Sequence, residues 1–145
     1  MIPQKRARDK WRFAAVAAAR DLCYTVYKEV GEVCDRNEAL KILTEIYKEC
    51  SNIVPVTDAY LYGSYARGEQ TDGSDVDIML LSSLSEEELH DKRKQFVHIS
   101  SELSLAHDVT VSLSVRSKER FMPELLPFHA NVLRDGIRYK KGVYE

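Results

Sequence analysis

The sequence predicts an α/β domain in which helices cover a small mixed sheet, and two observations carry this prediction. Apolar residues recur at helical spacing early in the chain and alternate at strand spacing in its middle, where turn residues separate the segments. The composition agrees, because 44% of the 145 residues are hydrophobic and 30% are charged, as in ordinary globular proteins. A chain of this length can form one compact domain without a disulfide or a structural metal.

Two helices open the predicted order of elements. The first runs from about Arg8 to Val30 and breaks at Gly31. The second runs from about Asn37 to Cys50 and carries one apolar face. Periodic apolar positions continue well past the alanine-rich segment, so an amphipathic helix explains more residues than an N-terminal targeting signal does.

The helical pair forms an N-terminal extension, residues 1–53, that packs on a core made of residues 54–145. Its first helix is either an extra layer on the sheet or a docking surface for a partner protein, because its alanines permit close approach of another helix. The sequence does not separate these alternatives, and it leaves homo-oligomer formation open.

Two strands and a turn form the middle of the chain. The first strand covers Val56 to Tyr62 and ends at Gly63, and the run from Thr71 to Ser74 is a turn. The second strand covers Asp75 to Leu81, and both of its faces are apolar beyond its polar start. Such a strand belongs in the interior of a covered sheet.

A helix, a strand, a helix and an edge strand complete the order. Ser85 and Glu88 form a capping box for a helix that ends near Leu105. A third strand runs from His107 to Val115 with one apolar and one polar face. A last helix follows Pro127 and ends near Arg134, and residues 137–144 add a short edge strand.

Charge and cysteine content exclude several classes of protein. The net charge of −2 provides no broad basic surface, which makes long nucleic acid an unfavourable partner. The three cysteines, Cys23, Cys34 and Cys50, are odd in number and lack metal-ligand spacing, as expected of thiols in the reducing cytoplasm. No segment approaches the roughly 18 apolar residues that a membrane span requires.

Asp75 and Asp77 are the strongest candidates for chemistry. Residues two apart on a strand leave the same face with Cα atoms about 7 Å apart, so both carboxylates can converge on one cation. Hard divalent ions such as Mg²⁺ prefer carboxylate oxygens and retain positions for phosphate oxygens. Two such ions can hold the attacking and leaving oxygens of an in-line displacement, so the pair indicates phosphoryl or nucleotidyl transfer.

Gly63 and Ser64 supply a candidate phosphate cradle just before this acidic strand. Glycine lets the backbone approach a phosphate without a Cβ. Ser64 can offer its N–H and its hydroxyl at the start of a short helix, where an anion meets the positive end of the helix.

The complete pattern, Leu61-Tyr62-Gly63-Ser64 followed after ten intervening residues by Asp75-Val76-Asp77, resembles the signature of polymerase-beta-type nucleotidyltransferases, especially the minimal nucleotidyltransferase family. Arg67 and Ser74 also resemble residues of that family's sequence motif, and both are assigned to nucleotide binding with Gly63 and Ser64. For Arg67 a surface ion pair is an open alternative to steadying the triphosphate.

The resemblance implies a third carboxylate on the next strand, and Asp108 fits that place at the start of the predicted His107 to Val115 strand. By that resemblance it binds the catalytic metal together with Asp75 and Asp77 and helps to deprotonate the acceptor hydroxyl. Alternatively, Asp108 caps a turn, which is a common role of aspartate at the start of a strand.

The implied function is transfer of a nucleoside monophosphate, with AMP favoured, from ATP or another nucleoside triphosphate to an acceptor hydroxyl. Two Mg²⁺ ions would assist, and pyrophosphate would leave. By the same resemblance the partner is a toxin of the HEPN ribonuclease family, with a toxin tyrosine as acceptor. A non-catalytic antitoxin with a vestigial nucleotide site and an antibiotic nucleotidyltransferase are the alternatives.

Overall fold

The computed structural model describes residues 34–140 and 142–145. The helix predicted from Arg8 to Val30, the break at Gly31 and Cys23 lie outside the described residues. The α/β prediction is confirmed. The helices are α1 (Arg36–Ser51), α2 (Ser64–Arg67), α3 (Glu86–Asp91), α4 (Arg93–His107) and α5 (Pro127–Asp135). The strands are β1 (Val56–Tyr62), β2 (Val76–Ser82), β3 (Val111–Ser117), β4 (Ile137–Lys140) and β5 (Val143–Tyr144).

The five strands form one mixed sheet in the order β3-β2-β1-β4-β5. The β1–β2, β1–β4 and β4–β5 pairs are antiparallel, whereas β2 and β3 run parallel. Strands β1 and β2, which precede and follow the Gly63-Ser64 pair, therefore lie in the interior of the sheet. This places the candidate site between central strands, with β3 beside it.

Helix α1 covers one face of the sheet, which we call the packed face. Asp35 begins the helix by accepting a hydrogen bond from the N–H of Glu38 at 2.8 Å. Its buried residues follow helical spacing and join the main core: Ala39, Ile42, Leu43, Ile46 and Cys50. Burial raises the pKa of the Cys50 thiol to about 12. The helix and the sheet belong to one compact unit, residues 34–145, and the division at residue 53 stays a prediction.

The opposite side of the sheet, which we call the site face, carries Asp58, Tyr60 and Tyr62 of β1 and the residues paired with them on β2. A smaller cluster of four buried residues lies here: Tyr60, Met79, Leu81 and Val132. Helix α5 and the segment before it pack on this face through Val132 and Phe121. The described part of the chain contains no helix long and apolar enough to cross a membrane.

The single helix predicted from Ser85 to Leu105 is two helices. The capping box is present, because Ser85 accepts from the N–H of Glu88 at 3.3 Å and Glu88 accepts from the N–H of Ser85 at 2.9 Å. The first helix ends at Asp91, because the ψ of −1° at Lys92 departs from the value of about −42° in a regular α-helix. The second helix starts at the next residue and continues to His107.

The third strand begins at Val111, four residues later than the predicted start at His107. His107 is instead the last residue of α4, and its ring lies between the carboxylates of Glu38, at 2.7 Å, and Glu45, at 3.1 Å. These contacts from α1 hold the helix end in place. Asp108 then adopts the left-handed conformation, with φ +53° and ψ +43°, and caps α4.

The predicted edge strand at residues 137–144 is two short strands, β4 and β5, and Gly142 lies between them with φ +92°. From the sequence alone, Asp58 is expected to be a turn or surface residue, and this expectation is wrong. Asp58 is buried on the site face, where its carboxylate accepts hydrogen bonds from Arg138 of β4 and lies 3.6 Å from the Lys118 ammonium.

Candidate active site

The β1–β2 hairpin brings the Gly-Ser pair and the second aspartate together. Tyr62, the last residue of β1, pairs with Asp77 across the hairpin, so the chain turns away from the sheet beside the Asp77 side chain. Gly63 makes this turn with φ +73° and ψ −153°, a conformation that residues with a Cβ rarely adopt. The spacing of the motif therefore reflects the geometry of one hairpin.

Gly63 lies directly against the Asp77 carboxylate. A Cβ placed on Gly63 would overlap the Oδ2 oxygen of Asp77 and lie 3.3 Å from its carboxyl carbon. Any other residue at this position would push the carboxylate away or move the turn. Glycine is thus required here both by the backbone angles and by the space that Asp77 occupies.

Ser64 begins the short helix α2, as the sequence predicted for the Gly-Ser step. The helix ends at Gly68, whose φ of +71° lets the N–H of Glu69 donate to the carbonyl of Ser64 at 2.9 Å. Tyr65 and Ala66 are buried in the main core and fix this turn to the packed face. The backbone at Gly63 and Ser64 is therefore fixed by β1 before it and by the buried residues of α2 after it.

Ser74 closes the turn before the aspartates. Its hydroxyl accepts a hydrogen bond from the N–H of Thr71 at 2.8 Å, and its own N–H donates to the Thr71 carbonyl at 2.9 Å. The structure therefore assigns Ser74 a role in shaping the turn that delivers Asp75. Its predicted contact with nucleotide stays a prediction.

Asp75 and Asp77 interact electrostatically at the start of β2. Asp75 is exposed, whereas Asp77 is half-buried. Burial raises the pKa of Asp77, and the negative charge of Asp75 raises it further, although a hydrogen bond from Ser112 and the charge of Arg67 act in the opposite direction. A cation between the two carboxylates would relieve this repulsion.

Ser112 was not singled out in the sequence, yet it belongs to the site. It pairs with Asp77 in the parallel β2–β3 register, and its hydroxyl is near enough to the Asp77 carboxylate to lower the pKa of that group. The alternation of apolar and polar residues in the sequence predicts that Ser112 lies on the polar face of its strand. Its position opposite Asp77 could not be predicted, because it depends on the register of two strands that are distant in the chain.

Asp108 stands apart from this group. It lies at the exposed C-cap of α4, before β3 begins, and not on the strand where its predicted role as third metal ligand requires it. Within residues 34–140 and 142–145, no three His, Cys, Asp or Glu side chains are gathered as a metal ion would need. The structure thus brings together Asp75, Asp77, Gly63 and Ser64, without Asp108.

Arg67 is an exposed residue at the end of α2. Its Nε atom lies 2.8 Å from a carboxylate oxygen of Glu69, so the structure contains the ion pair that the sequence left open as an alternative. Its charge also acts on Asp77 and on Asp135. The guanidinium is therefore near enough to the acidic site to influence it.

Aromatic residues form the wall of the site on its α5 side. Phe128 packs edge-on against Tyr62, with ring centroids 5.5 Å apart, and half of its side chain is exposed. Behind it, His129 is buried, stacks on Phe121 and accepts a hydrogen bond from the N–H of Met122 at 3.0 Å. Burial lowers the pKa of His129, which favours the neutral ring that this contact needs.

The chemistry available to this arrangement follows from its donor set. Two carboxylates on one strand face offer hard oxygen ligands of the kind that Mg²⁺ prefers. Beside them, a glycine without a Cβ and the first turn of a helix leave backbone N–H groups accessible to an anion. The residues present therefore fit a divalent cation together with a phosphate chain.

Comparison with known proteins agrees with this donor set. The family model described as a nucleotidyltransferase domain matches residues 43–139. Two Methanocaldococcus jannaschii proteins, both named putative protein adenylyltransferase, are also similar. One is 34% identical over 77 residues, which cover 52% of this chain and 70% of that protein. The other is 31% identical over 83 residues, which cover 56% of this chain and 82% of that protein.

The fold is likewise shared with a solved structure. A putative nucleotidyltransferase from Sulfolobus solfataricus superposes with a TM-score of 0.51 at 20% identity, over 73% of this chain and 84% of that one. At such low identity the likeness concerns the fold alone. It is consistent with the mixed sheet and its covering helices.

Proposed function

The chain belongs to the nucleotidyltransferase domain family, and from this premise we propose that it transfers AMP from ATP to a hydroxyl group of a protein, with release of pyrophosphate. The observation that carries the proposal is the contact between Gly63 and the Asp77 carboxylate. It joins the candidate phosphate cradle to the candidate metal ligands at one point. The two adenylyltransferase-named relatives support AMP and a protein acceptor.

In this proposal Asp75 and Asp77 hold divalent cations, and Gly63 and Ser64 hold the phosphates of the nucleotide. Bound Mg²⁺ would supply charge neutralisation of the triphosphate and of the leaving pyrophosphate. Arg67 exchanges its contact with Glu69 for a phosphate oxygen. The acceptor oxygen bonds to the α-phosphorus as the bond from that phosphorus to pyrophosphate breaks, and the hydroxyl proton is released.

The acceptor in the proposal is a tyrosine hydroxyl of a partner protein, a toxin of the HEPN family. A phenol loses its proton more readily than an aliphatic alcohol does, since its pKa is near 10. The exposed ring of Phe128 beside Tyr62 gives a protein acceptor an apolar surface next to the aspartates. The partner's identity rests on the family resemblance described above.

Transfer from labelled ATP tests the proposal. The full chain is incubated with Mg²⁺ and a purified candidate toxin, using ATP labelled on the α-phosphate in one reaction and on the γ-phosphate in another. We expect the toxin to take up α-label and no γ-label. Asp75→Asn with Asp77→Asn should reduce labelling by at least about 100-fold, because the cation ligands are lost.

The matched control is Glu87→Gln with Asp91→Asn on α3, where both residues are exposed. It changes the net charge equally without touching the site and should retain labelling. Transfer of the γ-label would assign the protein to phosphoryl transfer instead. Equal labelling by the double aspartate variant would remove the aspartates from the mechanism.

A second function is favoured by one specific observation, which is that only two acidic residues are gathered at the site among the described residues. A protein with this site could bind ATP and neutralise a partner by covering it. ATP binding measured by calorimetry, combined with neutralisation of the toxin by the double aspartate variant, would support this binding function. Loss of neutralisation in that variant would favour catalysis.

A further inference from the structure

Ser112 is the residue of β3 that pairs with Asp77. The parallel pairing sets Ser112 opposite Asp77 on the site face, and the next residues on that face of β3 are Ser114 and Arg116. The shared register sets Ser112 beside Asp77, and the Ser112 hydroxyl lowers the pKa of that carboxylate. A side chain at position 112 therefore lies next to the carboxylate that would hold the ion.

We propose that Ser112 lies at the place where a third carboxylate would complete the site, and that it positions the Asp77 side chain. The free protein then offers only two carboxylates to a divalent cation. The proposal rests on the proposed function, because it assumes the same metal site at Asp75 and Asp77. Its claim differs from that of AMP transfer, since it concerns the affinity of the protein for a metal ion before any nucleotide binds.

The charge of the ligand set gives this arrangement a measurable consequence. Divalent-cation affinity rises with the number of charged oxygen ligands, and a neutral hydroxyl adds none. Asp75 and Asp77 supply only two negative charges, so the free protein should hold a cation weakly. Firm binding then requires the additional negative charge of a triphosphate, which makes the ion and the nucleotide arrive together.

The hydroxyl of Ser112 also limits the freedom of the Asp77 side chain. A hydrogen bond from a neighbouring strand fixes the orientation of a ligating carboxylate, and loss of such a contact weakens metal binding. On the other side of the carboxylate, the absence of a Cβ on Gly63 leaves the room that this orientation needs. Asp77 is therefore held between β3 and the turn after β1.

Binding of Mn²⁺ alone to the full chain, followed by the electron paramagnetic resonance signal of the free ion, tests the proposal. Ser112→Asp should tighten Mn²⁺ binding by roughly ten-fold or more, because it adds a third carboxylate. Ser112→Ala should weaken binding by about ten-fold. Ser112→Thr keeps the hydroxyl on a strand-compatible side chain and should bind as the unaltered protein does.

Two controls separate position from charge. Ser114→Asp adds the same charge two residues further along the same face, opposite Met79, and should change Mn²⁺ affinity by less than about two-fold. Asp108→Asn tests the alternative third ligand. Asparagine tolerates the left-handed backbone at that position, so the cap survives, and we expect Mn²⁺ affinity to stay unchanged.

Specific outcomes would overturn the proposal. Unchanged Mn²⁺ affinity in Ser112→Asp would show that position 112 does not reach the ion, and unchanged affinity in Ser112→Ala would show that the hydrogen bond does not position Asp77. A loss of Mn²⁺ affinity in Asp108→Asn would return the third position to Asp108. Failure of AMP transfer by the unaltered protein would overturn the proposed function and leave these binding results intact.

Discussion

The two faces of the sheet differ in what their residues do. On the packed face, apolar residues of β1 and β2 meet α1, α2 and α4 in one continuous buried cluster. On the site face, the same two strands carry a smaller buried cluster beside two carboxylates, Asp58 and Asp77. A single hairpin thus presents an apolar surface to one side and a charged one to the other.

This difference shows how the domain separates stability from chemistry. Burial of apolar side chains on the packed face supplies most of the driving force for folding among the described residues. Acidic groups on the site face cost free energy unless a cation or a basic side chain joins them. Substitutions on the packed face should therefore affect folding, whereas substitutions on the site face should affect activity or act through charge.

The largest expected effect is on the packed face. Ile46→Ala removes a fully buried side chain of α1 and should lower the free energy of unfolding by about 2–5 kcal/mol. Urea denaturation followed by circular dichroism measures it. The control is Leu133→Ala on α5, where 47% of the side chain is exposed and the loss should stay below about 0.5 kcal/mol. Equal losses would remove the contrast between the faces.

Gly63→Ala should reduce AMP transfer by roughly 100-fold, which corresponds to about 2.7 kcal/mol, because the added Cβ overlaps the Asp77 carboxylate. Gly68→Ala is the matched control. Gly68 also has a positive φ, but a Cβ there would meet no atom within 4 Å. Both variants should lose some stability, and only Gly63→Ala should lose activity. Comparable activities in the two variants would mean that the overlap with Asp77 has no catalytic consequence.

Asp58→Asn should lower the free energy of unfolding by about 1–3 kcal/mol at neutral pH, because Arg138 loses its buried partner. Burial alone would raise the pKa of Asp58, but the hydrogen bonds from Arg138 and the positive charges of Arg138 and Lys118 hold it below its ordinary value. This contribution is therefore present above the ordinary carboxyl pKa and is lost as pH falls through the lowered one.

Denaturation of Asp58→Asn across the acidic range checks this dependence, since the variant should lack it. Glu145→Gln provides the comparison. Its carboxylate lies 3.5 Å from Arg138 but is more than half exposed, so its loss should cost less than about 0.5 kcal/mol. A larger cost for Glu145→Gln than for Asp58→Asn would contradict the importance of burial.

The smallest expected effect is a gain in stability. Because burial and Asp75 raise the pKa of Asp77, the folded chain binds that proton more tightly than the unfolded chain does. Stability therefore falls as pH rises through the raised pKa, and Asp77→Asn should increase Tm at neutral pH by about 1–3 °C. Differential scanning calorimetry without divalent ions tests this, with the exposed Asp75→Asn as comparison. A lower Tm for Asp77→Asn would contradict it.

The elements that depend on local sequence were predicted well. Strand β1 has the predicted bounds, Val56 to Tyr62, because alternation before a turn glycine leaves few alternatives. Helix α1, predicted as the second helix of the chain, and the capping box at Ser85 also lie where the sequence places them. The Asp77 carboxylate lies beside Gly63 because the hairpin that joins them is local.

Features that depend on tertiary contacts could not be predicted. The α4 helix continues to His107 because Glu38 and Glu45 of α1 hold that ring, and nothing near His107 in the chain signals this contact. The same continuation moves Asp108 off the strand. Burial of Asp58 likewise depends on Arg138, which pairs from β4 far along the chain.

The hairpin that bears the chemistry also has a consequence for folding. Its strands, Val56–Tyr62 and Val76–Ser82, are separated by 13 residues (63–75), so their pairing closes a loop of moderate length at moderate entropic cost. We expect this pairing to form early and the docking of α5 to come later. As a hypothesis, Leu61→Ala should slow refolding in stopped-flow experiments, whereas Val132→Ala should mainly accelerate unfolding. The opposite pattern would mean that the β1–β2 hairpin forms late, after α5 has docked.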